Sequence, residues 1–348
     1  MEPYAAVAMQ LTARSLEGCA DDGAARAQML SHIASLEGQI RTAAIFIEQY
    51  SGRKVRLGVL PEYLFTSYPG RISISDFARR AAFAADGPEY AALGALAQKL
   101  GLFIAGNAYE SDAHFPDFYF QTSFIVDPAG DVIVRYRRLL SMFAPSPHDV
   151  WDAYLDHYGI DAVFPVARTA IGNLACIASE EILYPEIARA LAFRGAEVFA
   201  HSSSEIGSPL ATPKDIAKRA RAWENMAYVV SANTAGISGT AMPLASADGN
   251  SQVVGPSGKL LAQSLSGETY TAFAEIDVEH LRALRRVPAM TNSLARQRPS
   301  LFAGVYAAAV GQPGNTMLEG GAAKVPEREA FKRMQELAIE RLAKAGVI

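Results

Sequence analysis

A layered α/β fold built on a mixed sheet is what this chain predicts, and three observations carry that expectation. Short apolar runs alternate with longer stretches whose apolar residues recur every three or four positions. Two Pro/Gly turns, Asp127-Pro-Ala-Gly-Asp131 and Gly255-Pro-Ser-Gly258, join β-rich runs as antiparallel hairpins do. The chain has 348 residues, half of them hydrophobic, enough for one large domain or two ordinary ones.

Tyr4–Gln10 reads as the first strand. From Ala24 to Tyr50, Met29, Ile33, Leu36, Ile40, Ala44 and Ile47 fall on one helical face. Gly38 within it costs about 1 kcal/mol relative to alanine, which a packed face overrides. Val55–Pro61 is a buried type of strand that runs into Glu62. Asp86-Gly-Pro-Glu89 opens a helix to about Leu100, with Pro88 at its first position. Leu102–Gly106, Phe118–Asp127 and Val132–Arg138 read as strands. Ser146-Pro-His-Asp149 has the form of a cap, a first-turn proline and a third-position acid, so a short helix carrying Trp151, Tyr154 and Leu155 is expected next.

The second half repeats the theme. A strand runs through Ser179, followed by a helix over Glu186–Arg194, a strand over Glu197–His201, a helix near Ile216–Glu224 and a strand over Ala227–Ala232. The hairpin at Gly255–Gly258 and a strand over Tyr270–Ile276 complete the pattern. Gly311–Lys324 is rich in Gly, Pro and Ala. An amphipathic helix from about Pro326 carries Phe331, Met334, Leu337 and Leu342. That helix either covers an edge of its own domain or packs on a second subunit.

Bulk properties narrow the partners. The net charge is −4, the pI is near 5.9, and no basic stripe occurs, so neither nucleic acid nor an anionic membrane surface is an expected partner. No apolar stretch approaches the ~18 residues of a spanning helix, and the N-terminus lacks a secretory n-region. Cys19 and Cys176 cannot form a disulfide framework, which points to a reduced, cytoplasmic setting. The glycines form no Walker or dinucleotide fingerprint, so no cofactor is inferred. His148, Asp149, Asp152 and His157 match no zinc spacing and read as a solvated helix face.

The stretch from Thr169 to Arg189, Thr-Ala-Ile-Gly-Asn-Leu-Ala-Cys-Ile-Ala-Ser-Glu-Glu-Ile-Leu-Tyr-Pro-Glu-Ile-Ala-Arg, resembles the nucleophile segment of the nitrilase (carbon–nitrogen hydrolase) superfamily. Leu60-Pro61-Glu62-Tyr63 resembles its Pro-Glu motif, and Tyr136-Arg137-Arg138 its Tyr-Arg-Lys segment. Arg221-Ala-Trp-Glu224-Asn225, Ser251–Gly258 and Ala274-Glu-Ile-Asp277 resemble its later helix, last hairpin and closing strand. The resemblance reaches to about Phe302. It implies a four-layer α-β-β-α sandwich, usually dimerised to eight layers. Residues 1–310 then form the hydrolase-like domain, and 311–348 a tail whose helix reaches either its own domain or a subunit interface.

The same resemblance implies a Glu-Lys-Cys triad, and this chain departs from it at two of three positions. Glu62 occupies the place of the general base. Arg138 stands at the lysine and Ser179 at the cysteine, whereas Cys176 falls three residues too early and reads as a small buried hydrophobe. The family's second glutamate has no counterpart between Leu139 and Ala178. A serine hydroxyl is a far weaker acid than a thiol, and serine hydrolases bring a histidine or lysine to it. His201 and His148 are the candidates that folding has to deliver.

Three readings stay open. The first is hydrolysis of a small non-peptide amide-type C–N bond, with Ser179 as nucleophile, Glu62 as base and Arg138 steadying the oxyanion. The second is different acid/base chemistry, in which Arg138 and Ser179 hold the substrate. The third is an inactive scaffold that binds a small molecule or a protein; a Glu62 carboxylate locked bidentately on Arg138 would mark it. Glu180, through its backbone N–H, and His201, beyond a strand, are expected to meet the substrate. Glu181 and the Arg221–Glu224–Asn225 group are expected to serve structure. The expected partners are a small-molecule substrate or ligand and a second copy of the chain.

Overall fold

The first strand, Tyr4–Gln10, shows how the layers arise. Its side chains alternate between two separate apolar cores. Ala5, Val7 and Met9 belong to the core beneath the helices Asp22–Ser51 and Pro88–Leu100. Tyr4, Ala6 and Ala8 face the other way, into the core shared with a second sheet. A strand buried on both faces has no polar period, and Tyr4–Gln10 is buried throughout. The computed structural model describes residues 1–205 and 212–348.

Two six-stranded sheets make the inner layers. The first runs Thr269–Ile276, Tyr4–Gln10, Val55–Val59, Phe103–Ser111, Tyr119–Val126, Val132–Arg137. The second runs Leu260–Gln263, Gln252–Val254, Tyr228–Asn233, Val198–Ser203, Gly172–Ala178, Ala167–Thr169. Central strands in each sheet pair in parallel and the edges pair antiparallel, as the mixed pattern of crossovers and hairpins predicts. Ile187, Ala188 and Leu191 of the helix Pro185–Phe193, with Ala217 and Ala222 of Pro213–Glu224, pack on the second sheet. The result is the expected α-β-β-α sandwich.

Several boundaries shift for local reasons. The strand expected over Val55–Pro61 stops at Val59, because the chain turns there to bring Glu62 across to the second sheet, where its N–H donates to the Ser203 carbonyl at 3.2 Å. The run expected at Leu102–Gly106 continues to Ser111, paired residue for residue with Tyr119–Val126. In the long helix Ala43 is fully buried and Ala44 only partly. The cap at Ser146 is present: Asp149 accepts from the Ser146 N–H at 2.9 Å and its hydroxyl at 2.7 Å. The helix Ile74–Ala81, with Ser73 as its cap, is not among the elements expected from the sequence, although its buried Ile74, Phe77, Ala78 and Ala81 fall at the i, i+3, i+4 and i+7 positions of a helical face.

The chain beyond Gly311 is fastened to its own domain. Thr316 donates to Asp149 at 2.7 Å and the Met317 N–H to the Asp149 carbonyl at 2.9 Å. Met317 and Phe331 are buried in the first core. The last helix, Glu329–Lys344, leaves Leu337 and Ile339 exposed. Among the described residues no helix is long and apolar enough to cross a membrane. No group of three or more potential metal ligands occurs among them either.

Candidate functional site

Three parallel strands end at one place: Val55–Val59 from the first sheet, Gly172–Ala178 and Val198–Ser203 from the second. The carboxyl ends of parallel strands are where open α/β sheets hold ligands. Glu62 lies just past the first, Ser179 just past the second, and Ser204 and Glu205 just past the third.

Ser179 leads a 3-10 turn, Ser179–Leu183, and has a left-handed backbone with φ of +46°. A non-glycine residue there is strained, and such strain persists only where the surroundings impose it. Two groups do so. Arg221 donates to the carbonyls of Ile182 and Leu183, both at 3.0 Å, and grips the far end of the turn. His201 Nε2 lies 2.7 Å from the Ser179 carbonyl. A carbonyl only accepts, so Nε2 carries the proton, and Nδ1 accepts from the Ser231 hydroxyl at 2.8 Å. Burial and the nearby Lys218 ammonium hold the His201 pKa well below its ordinary value, so the ring is neutral at pH 7. His201, expected to meet a substrate, is instead 0% exposed with both nitrogens engaged. It orients Ser179's backbone from behind.

Glu62 is fully buried. Oε1 accepts from Gln121 Nε2, and Oε2 accepts from the Ser204 N–H at 3.0 Å and the Ser204 hydroxyl at 2.8 Å. Arg138 Nη1 stays 3.7 Å from Oε1. The bidentate lock that would mark an inert scaffold is therefore absent from this pair. Arg138 spends its donors elsewhere: Nη1 on Gln121 Oε1 at 2.7 Å, Nε on the Leu140 carbonyl at 2.8 Å, and Nη2 on Glu180. Burial opposes its charge, but the Glu62 and Glu180 carboxylates keep the guanidinium protonated, above its ordinary pKa. Three of its five N–H donors are thus spent inside the protein, on Gln121, on Glu180 and on the Leu140 carbonyl.

Glu181 has the structural part expected of it. It accepts from the N–H groups of Leu139 and Leu140 at 2.7 and 2.9 Å and from the Tyr136 hydroxyl at 2.7 Å. It thereby ties the segment after Arg138 to the turn after Ser179. Burial pushes its carboxyl up to about 7, against the pull of Arg138. Cys176 is 1% exposed in the core joining the sheets, and burial raises its thiol pKa far from reactivity.

Sequence reasoning missed one residue. Lys214, in the first turn of Pro213–Glu224, places Nζ 3.4 Å from Ser179 Oγ, 3.2 Å from Ser203 Oγ and 3.3 Å from the Ser204 carbonyl. It lies 4.0 Å from Glu205. An ammonium only donates, so Ser179 Oγ accepts from Lys214 and keeps its own proton free for a base. Hydrogen bonds then run from Ser179 through Lys214 and Ser204 to Glu62. The available signal was a lysine two residues beyond Thr212, whose Thr-Pro-Lys-Asp form is that of a helix start. Its nearness to Ser179, 35 positions away, is a product of the fold.

The chain is thus a four-layer α-β-β-α sandwich in which Glu62 and Ser179, just past strand ends, and Lys214, at a helix start, come together. The chain matches the carbon-nitrogen hydrolase family over residues 23–286, and it belongs to that family, whose activity class is hydrolysis of C–N bonds other than peptide bonds. It is 21% identical over 261 residues to a protein of Schizosaccharomyces pombe named as a probable nitrilase, covering 74% of this chain and 90% of that protein. A formamidase of Bacillus thuringiensis is 31% identical over 121 residues, 34% of this chain and 33% of the relative. Among solved structures, a carbon-nitrogen hydrolase of Helicobacter pylori superimposes with a TM-score of 0.64 at 20% identity, over 88% of this chain and 99% of that one. The last likeness is one of fold.

Proposed function

We propose that the protein hydrolyses a small non-peptide amide through an acyl-enzyme on Ser179, with Glu62 as proton acceptor and Lys214 as the cation that the family's lysine position no longer supplies. One observation carries this reading: the Lys214 ammonium reaches Ser179 Oγ at 3.4 Å, where the chain otherwise departs from the family at both nucleophile and cation. Ser179 Oγ attacks the amide carbon and its proton passes to the Glu62 carboxylate. The carbonyl π pair moves to oxygen, and the oxyanion forms beside Lys214 and the backbone N–H of Glu180. The C–N bond then breaks and the leaving amine takes the proton from Glu62. Water attacks the ester, gives a proton to Glu62, and the proton returns to Ser179 Oγ as the carboxylic acid departs. Arg138 is a positioning residue here, holding Gln121 against Glu62 and Glu180 at the turn.

The reading includes no cofactor, a small-molecule substrate and a homodimer as the working unit. Residues 1–310 form the hydrolase domain and 311–348 the tail that closes over it. Release of ammonia or amine from a broad panel of small amides, carbamoyl compounds and nitriles tests it. Turnover should vanish in Ser179→Ala and in Glu62→Gln. Full turnover in Ser179→Ala rejects the nucleophile assignment. Loss in Glu62→Gln with only weakened binding in Ser179→Ala would transfer the site to the alternative acid/base chemistry.

A further inference from the structure

A cavity of about 390 Å³ adjoins the site, within the size range of small-molecule pockets. Ser204, which carries the Glu62 carboxylate, and Glu205, 4.0 Å from Lys214, lie in its wall. The rest of the wall is largely apolar: Tyr63, Tyr68, Phe143, Ile237, Met242 and Phe331. Tyr63 follows Glu62 directly and has a left-handed backbone with φ of +62°, a conformation that a bulky residue adopts only under constraint. It stacks on Tyr109 and meets Tyr68 edge-on.

The C-terminal segment closes the far side. Arg328 donates to the Phe143 carbonyl at 2.9 Å, to the Tyr119 hydroxyl at 3.2 Å and to the Ile72 carbonyl. Its remaining Nη2 is buried, with no hydrogen-bond partner among the described residues. Arg328 therefore fastens the wall, and its guanidinium is the one positive group among the described residues that line the cavity. Phe331, three residues on, is 4% exposed and completes the apolar lining.

We infer that this cavity is the specificity pocket of the site and takes an apolar, ring-sized substituent of an amide, with residues of the C-terminal segment forming its wall. The inference rests on the reading of Ser179 and Glu62 as the reacting groups. An apolar wall rewards each methylene removed from water by roughly fourfold in binding. Its aromatic residues suit a phenyl ring, whereas a carboxylate would meet the Glu205 carboxylate as well as the Arg328 guanidinium in the wall. Formamide or acetamide leaves it unfilled.

Binding to Ser179→Ala, measured by calorimetry with 3-phenylpropionamide, acetamide and succinamate, tests the pocket without requiring turnover. The phenyl amide should bind on the order of 100-fold more tightly than acetamide, and more tightly than succinamate. Met242→Trp, at a half-buried position, fills the space and should erase most of that preference. Phe143→Asp, at an exposed position, should weaken the phenyl amide more than acetamide. Equal affinities, or a preference for succinamate, overturn the inference. If wild type then still hydrolyses small amides in a Ser179-dependent way, the proposed reaction stands and only the pocket falls. If the phenyl amide binds as expected but no amide is turned over, the pocket stands and the reaction falls.

Discussion

In our reading, Ser179 and Lys214 stand in for a cysteine and lysine pair with groups of different reach and different sequence origin. The consequence is kinetic. Lys214→Met removes the charge but keeps the length, so the ground-state amide binds as before while the oxyanion loses its cation. We expect kcat to fall on the order of 100- to 1000-fold with KM changed only a few fold, and Lys214→Arg to recover part of the loss. Steady-state kinetics on any amide the panel identifies decide the matter; an unchanged kcat in Lys214→Met removes it from the chemistry. Glu181 gives a second prediction, in stability. Its carboxyl rises by burial from the ordinary 4.5 to about 7 in the folded chain. Between those values the folded chain holds a proton that the unfolded chain has released. Its contribution is complete below 4.5 and is lost as the pH rises through 7. Glu181→Gln copies the neutral form, and its amide oxygen can still accept from Leu139 and Leu140. Its stability relative to wild type should therefore climb between about pH 5 and about pH 7.5, read as urea midpoints. A constant difference across that range would mean that Glu181 does not titrate there.

Helix starts and tight turns do the positioning, and they were unequally visible beforehand. Thr212-Pro-Lys-Asp215 forms a reciprocal cap: the Asp215 N–H donates to Thr212 Oγ1 at 3.2 Å and the Thr212 N–H to Asp215 at 3.1 Å. Asp215 also receives Asn250 and Gln252 side-chain amides at 2.6 and 2.9 Å, so the helix start is tied to the second sheet. Lys214 lies inside this clasp. Thr212→Ala should cost about 1 kcal/mol of stability and lower kcat as well, because the first turn that aims Lys214 frays. Thr212→Ser should restore both. Thermal melts and kinetics on the same preparations test the coupling: a destabilised Thr212→Ala with normal kcat separates cap from site. The proline and glycine signals around Pro88, Pro147 and Gly255 made their elements readable because each acts within a few residues. The approach of Lys214 to Ser179 and the withdrawal of Arg138 onto Glu180 are settled between elements. No local pattern reports them.

At the scale of the molecule, the layers were legible where burial is continuous. Runs such as Tyr4–Gln10 and Val198–Ser203 have no polar period because both faces are covered. His201 shows the limit of that legibility: a polar residue in such a run reads as a ligand contact, yet it faces Ser231 and the Ser179 carbonyl inside the fold. The tail was balanced between two destinations. The bonds of Asn315, Thr316 and Arg328 to 148–149 and to Phe143 bring its first part onto its own domain. A larger uncovered face lies elsewhere. Phe302 and Tyr306 of the helix Ser300–Ala308 line a hollow with Phe193 of Pro185–Phe193, and with Leu301 and Val305 of the same helix they are exposed, an apolar face of a kind that marks an interaction surface. The homodimer in our reading would bury it. Sedimentation at about 10 µM, a concentration at which a stable dimer of nanomolar affinity is saturated, should give twice 37.3 kDa. Leu301→Asp with Val305→Asp places two charges in that face and should yield single chains of unchanged circular dichroism. A wild type that sediments as one chain rejects the dimer, and a charged variant that still sediments as two moves the interface to another face.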